Sequence, residues 1–273
     1  MTDRYAVIGN PVAHSRSPEI HAAFARETGQ DLEYLRVLAE RNGFARSVEA
    51  FRRDGGCGAN VTVPFKEEAH QLADTLSDRA RSAGAVNTLS FGQDGIHGDN
   101  TDGIGLVRDL TARLGFDLAG RDVLLLGAGG AARGALQALL EQKPATLVIA
   151  NRTVARATDL VSKFGDTTNT RLASAGFPSL AGRRFNLVIN ATAASLAGEA
   201  LSLPDDLFAA DALAYDMMYG RADTPFMAFA LARGAMVSDG LGMLVEQAAE
   251  SFFVWRSIRP AAGPVLEALR RAL

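Results

Sequence analysis

Lys66 and Asp102 are the pair in this chain whose types suit proton transfer. A lysine held near a carboxylate and partly withdrawn from water is a plausible proton carrier. Each follows an apolar run that reads as a strand, Gly58 to Val63 and Ile96 to Asn100. Around them lie polar stretches unusual for strand ends: Ser15-Arg16-Ser17, Asn60-Val61-Thr62, Asn87-Thr88 and Asn100-Thr101-Asp102. Asn60, Thr62 and Asn87 can hydrogen-bond hydroxyl groups. Ser15 and Ser17 can donate to a carboxylate, aided by the positive end of the helix that begins beyond Ser17. Each has a plainer reading that residue type alone leaves open. Lysines mostly lie on surfaces, Ser17 before Pro18 reads equally as a helix N-cap, Asp102 as a helix-start acid, and Asn60 and Asn87 as turn residues.

A second chemistry is carried by Val123 to Gly134, VLLLGAGGAARG. An apolar strand runs into a glycine turn and then a helix, Ala131 to Gln142. Gly127, Gly129 and Ala132 match the G-x-G-x-x-G/A spacing of dinucleotide binding. Gly127 permits the sharp turn, Gly129 lets a pyrophosphate approach the backbone, and Ala132 lets the helix pack on the strand. Asn151 follows the next strand, Thr146 to Ala150, 24 positions after Gly127 (151 − 127). An acid there would accept a free ribose 2′-hydroxyl. The chain instead has neutral Asn151, then Arg152, with Arg156 beyond, and guanidinium groups clamp phosphate oxygens. The spacing therefore predicts NADP rather than NAD. The competing reading places Arg152 and Arg156, four apart, on one solvated helix face.

The elements that must position these groups alternate strand and helix. Strands are expected at Arg4 to Gly9, Leu32 to Leu38, Gly58 to Val63, Val86 to Phe91 and Ile96 to Asn100. Helices are expected from Ser17, over Phe44 to Arg53, over Lys66 to Leu72, after Ser77, and from Asp102 to Leu114. Beyond the glycine turn, Phe185 to Asn190, Ala212 to Asp216 and Ala235 to Ser238 read as strands. Leu241 to Ala272 reads as two helices broken at Arg259-Pro260, whose Phe252, Phe253 and Trp255 should pack back across the first domain. The fold class is α/β with two domains, 1–103 completed by 241–273 and 104–240, the second a doubly wound Rossmann-type parallel sheet.

The 273 residues are 48% hydrophobic and 22% charged, with net charge −3. That composition suits a globular core and gives no basic patch for nucleic acid. A single cysteine, Cys57, forms no internal disulfide, as in a reducing cytoplasm. No secretory signal or membrane span is expected, and the four histidines show no metal-ligand spacing.

Seven segments, GNPVAHSRSPEIHAAF, GANVTVPFK, AVNTL, GDNTDGIG, GAGGAARG, NRT and DGLGMLVEQAAESF, resemble the shikimate dehydrogenase family in order and spacing, from Ala6 to about Pro260. The resemblance implies NADP-linked interconversion of 3-dehydroshikimate and shikimate in a cytoplasmic monomer or homodimer. It implies Lys66 as catalytic acid/base with Asp102 as partner. Ser15 and Ser17 would hold the substrate carboxylate. Thr62, Asn87 and Asp102 would bind ring hydroxyls, with Asn60 beside them, and Tyr219 and Gln247 would close the substrate site. Gly127, Ala128, Gly129, Gly130 and Ala131 would cradle the pyrophosphate. Asn151, Arg152, Thr153 and Arg156 would hold the ribose and its 2′-phosphate, Met217 and Gly240 would line the nicotinamide pocket, and Asp78 is associated with the cofactor or with site closure. One segment departs from the family pattern. Asn190-Ala191-Thr192-Ala193-Ala194-Ser195 stands where Asn-Ala-Thr-Ser-Ser-Gly is usual, which removes hydroxyls expected near the nicotinamide. Two alternatives stay open: a broader quinate/shikimate paralogue, and a non-catalytic NADP-binding sensor.

Overall fold

Asp3–Gly9 (β1) ends in five consecutive buried residues, the signature of a strand covered on both faces. In the computed structural model, which describes residues 2–164, 169–194 and 198–273, β1 lies inside the sheet of the first of two units. That unit runs to Gly105 and is completed by Leu244–Ala272. Its elements are α1 (Ser17–Thr28), β2 (Leu32–Leu38), α2 (Phe44–Arg53), β3 (Gly56–Val61), α3 (Lys66–Leu72), β4 (Thr75–Leu76), α4 (Asp78–Ala83), β5 (Thr88–Gly92) and β6 (Gly95–Asp99). The sheet order is β2-β1-β3-β5-β6-β4. β1, β2 and β3 are parallel, whereas β5 runs antiparallel to β3 and β6.

The chain leaves this unit within α5 (Asp102–Arg108) and returns within α9 (Leu241–Arg256), which precedes α10 (Ala262–Ala272). The returning segment is held by packing. Val245, Ala248, Ala249, Phe252 and Val265 join Ile20 and Phe24 in one buried cluster. Trp255 Nε1 donates to Leu89 O at 3.0 Å, and its ring stacks on Tyr5 at 4.5 Å. Of the aromatic residues expected to pack, Phe252 is fully buried, but Phe253 is 40% exposed, because its side of α9 faces away from the cluster.

The second unit, Leu106–Met243, contains β7 (Asp122–Leu126), α6 (Gly130–Glu141), β8 (Thr146–Ala150), α7 (Val154–Ser162), β9 (Arg171–Ala175), β10 (Phe185–Asn190), β11 (Phe208–Asp216), α8 (Pro225–Leu231) and β12 (Met236–Asp239). All strands are parallel, in the order β12-β11-β10-β7-β8-β9. This is the dinucleotide-binding order, with the switch point beside β7. β9 has no counterpart in the sequence reading. Its RLASA run is small and polar-started, and only its last residue is buried.

Two further expectations are corrected. The segment after Asp102 is not one α-helix to Leu114: it changes to a π-helical turn over Asp109–Arg113. Within that turn the fully buried Asp109 carboxylate accepts from Arg113 and from Tyr215 Oη at 2.7 Å. Ser17 is not an N-cap. It is the first residue of α1, and the cap position belongs to Arg16. Ser15 Oγ instead accepts the Ser17 N–H at 3.3 Å. Among the described residues no helix is long and apolar enough to cross a membrane.

Candidate active site

In the first unit the predicted groups gather at the carboxyl ends of the central strands. Lys66 opens α3, Asp102 opens α5, and Lys66 Nζ lies 2.5 Å from Asp102 Oδ2. Asp102 is buried and Lys66 half-buried, so the pair is partly withdrawn from water. The second carboxylate oxygen, Oδ1, accepts from Asn87 Nδ2 at 2.9 Å, and the Asp102 N–H donates to Asn100 Oδ1 at 3.2 Å. Both oxygens and the backbone of Asp102 are thus held by the chain's own groups.

Asn87 is a hub. Its Nδ2 also donates to Thr101 Oγ1 at 2.9 Å and Gln247 Oε1 at 3.3 Å. Its Oδ1 accepts from Thr88 Oγ1 and from the Thr101 N–H. Asn60 is equally engaged. Its Oδ1 accepts from Tyr34 Oη at 2.7 Å, and its Nδ2 faces Asn87 O, Thr88 Oγ1 and Ser251 Oγ. Both amides are buried with their N–H groups committed. They hold Asp102 and the strand ends in place. Gln247 reaches this network because Gly105 lets α5 approach α9: a methyl at Gly105 would sit 2.6 Å from Gln247 Cβ and 2.7 Å from its backbone nitrogen.

Ser15 Oγ and Ser17 Oγ are 3.2 Å apart at the start of α1. Thr62 follows β3 and is half-buried, and no hydrogen bond engages its hydroxyl among the described residues. A buried ionic cluster braces the same edge. Arg79 binds both oxygens of Asp99 at 2.6 Å and Glu250 at 3.0 Å, and Arg259 pairs with Glu250. Burial alone would raise the pKa of Asp99 and Glu250. The hydrogen bonds from Arg79, with Ser77 at Asp99 and Arg259 at Glu250, outweigh it and hold both carboxyls below their ordinary values. Asp78 joins no cluster: its side chain is 92% exposed in the first turn of α4, where the helix dipole favours an acid, and it pairs with Arg81.

In the second unit a cavity of about 880 Å³ opens beside the glycine turn. Gly127, Ala128, Gly129, Asn151, Arg152 and Arg156 line it, together with Phe177 and Ala191 to Ala194. Gly130, Ala131 and Thr153 adjoin this lining in the chain without belonging to it. Gly127 has φ +106°, and a methyl there would lie 3.0 Å from Ala191 O, so position and conformation both require glycine. A side chain at Gly129 or Gly130 would meet nothing within 4 Å, which leaves the N-terminus of α6 open to a phosphate. Arg152 precedes α7, so the two arginines do not share a helix face, yet both reach the cavity. These groups suit a dinucleotide with an extra phosphate. Met217 and Gly240 come together, the Gly240 N–H donating to Met218 O at 2.9 Å. Tyr219 is half-buried beside them in the chain. The Thr192 hydroxyl is spent on Asn190 Oδ1 at 2.7 Å, and Ser195 lies outside the described residues.

The sequence reading missed Tyr34 and Ser251 as members of the polar network. Only the register that sets β1 against both β2 and β3 brings Tyr34 to Asn60, and only the returning α9 brings Ser251. The spacing of Gln247 and Ser251, one helical turn apart, was the one available signal.

Family models match three parts of the chain. Residues 7–89 match the shikimate dehydrogenase substrate binding domain, residues 109–197 shikimate/quinate 5-dehydrogenase, and residues 240–270 the shikimate 5′-dehydrogenase C-terminal domain. The shikimate dehydrogenase (NADP(+)) of Nitrosospira multiformis is 59% identical over 274 residues, covering 100% of this chain and 99% of that protein. That of Halorhodospira halophila is 61% identical over 272 residues, covering 99% of each. The shikimate 5-dehydrogenase of Thermus thermophilus, solved in complex with NADP(H) and shikimate, superposes with a TM-score of 0.88 at 34% identity over 100% of both chains. The chain belongs to the shikimate dehydrogenase family.

Proposed function

We propose that this protein interconverts 3-dehydroshikimate and shikimate with NADP, and that Lys66 carries the proton. The observation behind this reading is the Lys66–Asp102 pair at 2.5 Å, with Asp102 held at its other oxygen by Asn87. Oxidation of a ring alcohol removes a hydride from carbon and a proton from oxygen. The nicotinamide, when NADP is bound, supplies the two-electron acceptor. Lys66 takes the hydroxyl proton in the oxidative direction and returns it to the carbonyl oxygen in the reductive one. Asp102 keeps the ammonium oriented and compensates its charge as the proton moves. Ser15 and Ser17 hold the substrate carboxylate, Thr62 takes a ring hydroxyl, and Gln247 and Tyr219 bound the substrate. The first unit is then the substrate domain and the second the NADP domain, where Gly127 to Ala131 hold the pyrophosphate and Met217 and Gly240 the nicotinamide end. Arg152 and Arg156, with Asn151 and Thr153, hold the ribose 2′-phosphate, and none of these four positions carries an acid.

Shikimate or quinate, each offered with NADP⁺ or NAD⁺ and followed by absorbance, tests the assignment. Turnover with shikimate and NADP⁺, and a fall of at least about a hundredfold in kcat for Lys66→Met with little change in KM, are expected. Unchanged kcat in Lys66→Met removes the role of Lys66. Comparable rates with quinate or NAD⁺ replace the assignment with a broader activity.

A further inference from the structure

We propose that Gly9 is a positioning residue for the substrate: its missing side chain leaves the space that the Thr62 methyl fills, and this fixes the Thr62 hydroxyl in one rotamer. A methyl built on Gly9 would lie 2.3 Å from Thr62 Cγ2, closer than any side chain tolerates. The next nearest atoms are Val63 O at 3.3 Å, itself a tight approach, and Pro11 O at 3.6 Å, so the Thr62 methyl is the group an alanine there must displace. Gly9 does not adopt a left-handed backbone, unlike Gly127, so conformation does not require glycine. The backbone around the pair is fixed by hydrogen bonds from the Thr62 N–H to Ile8 O at 3.0 Å and from the Asn10 N–H to Val63 O at 3.0 Å. On Cβ of a threonine, seating the methyl in one staggered position leaves the hydroxyl one other position, with no freedom to exchange. That hydroxyl has no partner among the described residues, and Thr62 lies just ahead of α3, which Lys66 opens. A hydroxyl held still meets a substrate hydroxyl without losing rotamer freedom on binding.

This inference rests on the reading that Thr62 contacts the substrate, and four variants separate the two. Thr62→Ala tests the contact. Gly9→Ala tests the lock, Thr62→Ser removes the clashing methyl but keeps the hydroxyl, and the double variant Gly9→Ala/Thr62→Ser moves the methyl from one residue to the other. Steady-state kinetics with shikimate and NADP⁺ should give a KM for shikimate raised about tenfold in Gly9→Ala and in Thr62→Ala, with the KM for NADP⁺ unchanged in both. Thr62→Ser should raise it about threefold, through the freed rotamer. The double variant should match Thr62→Ser or better it, because the alanine methyl now restrains the serine. Thermal unfolding of each variant shows whether Gly9→Ala is folded. If it is not, the double variant against Thr62→Ser carries the test alone. A double variant as impaired as Gly9→Ala overturns the lock while leaving the contact. An unchanged KM in Thr62→Ala overturns the contact and the lock with it.

Discussion

His21 should make the stability of the first unit depend on pH well above the range where carboxylates titrate. The imidazole is completely buried in α1, stacked on Tyr34 at 4.2 Å and an interplanar angle of 5°, with Phe24, Phe252 and Trp255 around it. Neither ring nitrogen has a hydrogen-bond partner among the described residues. Burial pushes its pKa down from 6.5 to about 3, against a smaller opposing effect of the Asn60 amide. The folded protein therefore keeps this histidine neutral where the unfolded chain would protonate it. The stability it confers is complete above pH 6.5 and is lost as pH falls toward 3. Between those limits the unfolded state binds one more proton, so unfolding free energy drops by about 1.4 kcal/mol per pH unit. From about pH 7.5 to about pH 5 the loss is roughly 2 kcal/mol, a fall in urea midpoint of about 1 M for a typical denaturant slope. The single tryptophan, Trp255, lies 5.5 Å from the imidazole, so its fluorescence reports on this region. His21→Phe keeps a ring in the stack and cannot titrate, and its midpoint should change little over the same interval. Equal pH dependence in the variant and the parent would refute the argument.

Three other perturbations have worked outcomes. Arg79→Met leaves Asp99 and Glu250 short of a cation and should cost about 3 kcal/mol at neutral pH. Because both carboxyls titrate below their ordinary values when folded, that deficit should be full above about pH 5 and shrink as pH falls below about 4, read by urea unfolding at several pH values. Gly105→Ala forces α5 away from the Gln247 backbone and should cost about 1–3 kcal/mol in thermal stability, together with a raised KM for shikimate. Gly240→Ala would bring a methyl 2.2 Å from Met217 O, and it should weaken NADPH binding, measured by fluorescence titration, while leaving shikimate affinity alone.

What was legible in the sequence divides by the range of the signal. The glycine turn, α2 and α3 carry their own periodicity and breakers, and they fold as read. Lys66 and Asp102 are 36 residues apart, yet both stand where strands give way to helices, and that placement brought them together. The roles of Asn60 and Asn87 could not be read, because an amide that organises a network and one that meets a ligand have the same local sequence. The partners that build the network, Tyr34, Thr88, Thr101 and Ser251, come together only in the folded chain. Ser17 was misplaced by one residue because the Ile20 N–H closes the first turn on Arg16 O, which makes Arg16 the cap residue. The partner that anchors the Asp109 carboxylate in the π-helical turn, Tyr215, lies 106 residues away, a distance no local pattern spans. The significance of Gly9 is invisible without Thr62 beside it.

The return of α9 also bears on how the chain is made. The first unit is interrupted after Gly105, and the residues that complete its polar network, Gln247 and Ser251, emerge only after the whole second unit. Ser251 follows Gly105 by 146 positions (251 − 105), which a ribosome adding about 5–20 residues per second takes roughly 7–30 s to synthesise. During that interval Asn60, Thr88 and Thr101 lack the hydroxyl that ties them together, and Ile20 and Phe24 lack the helix that covers them. The second unit, Leu106–Met243, meets no such delay. Translation order therefore sets folding order against domain order: the half synthesised first is the half finished last.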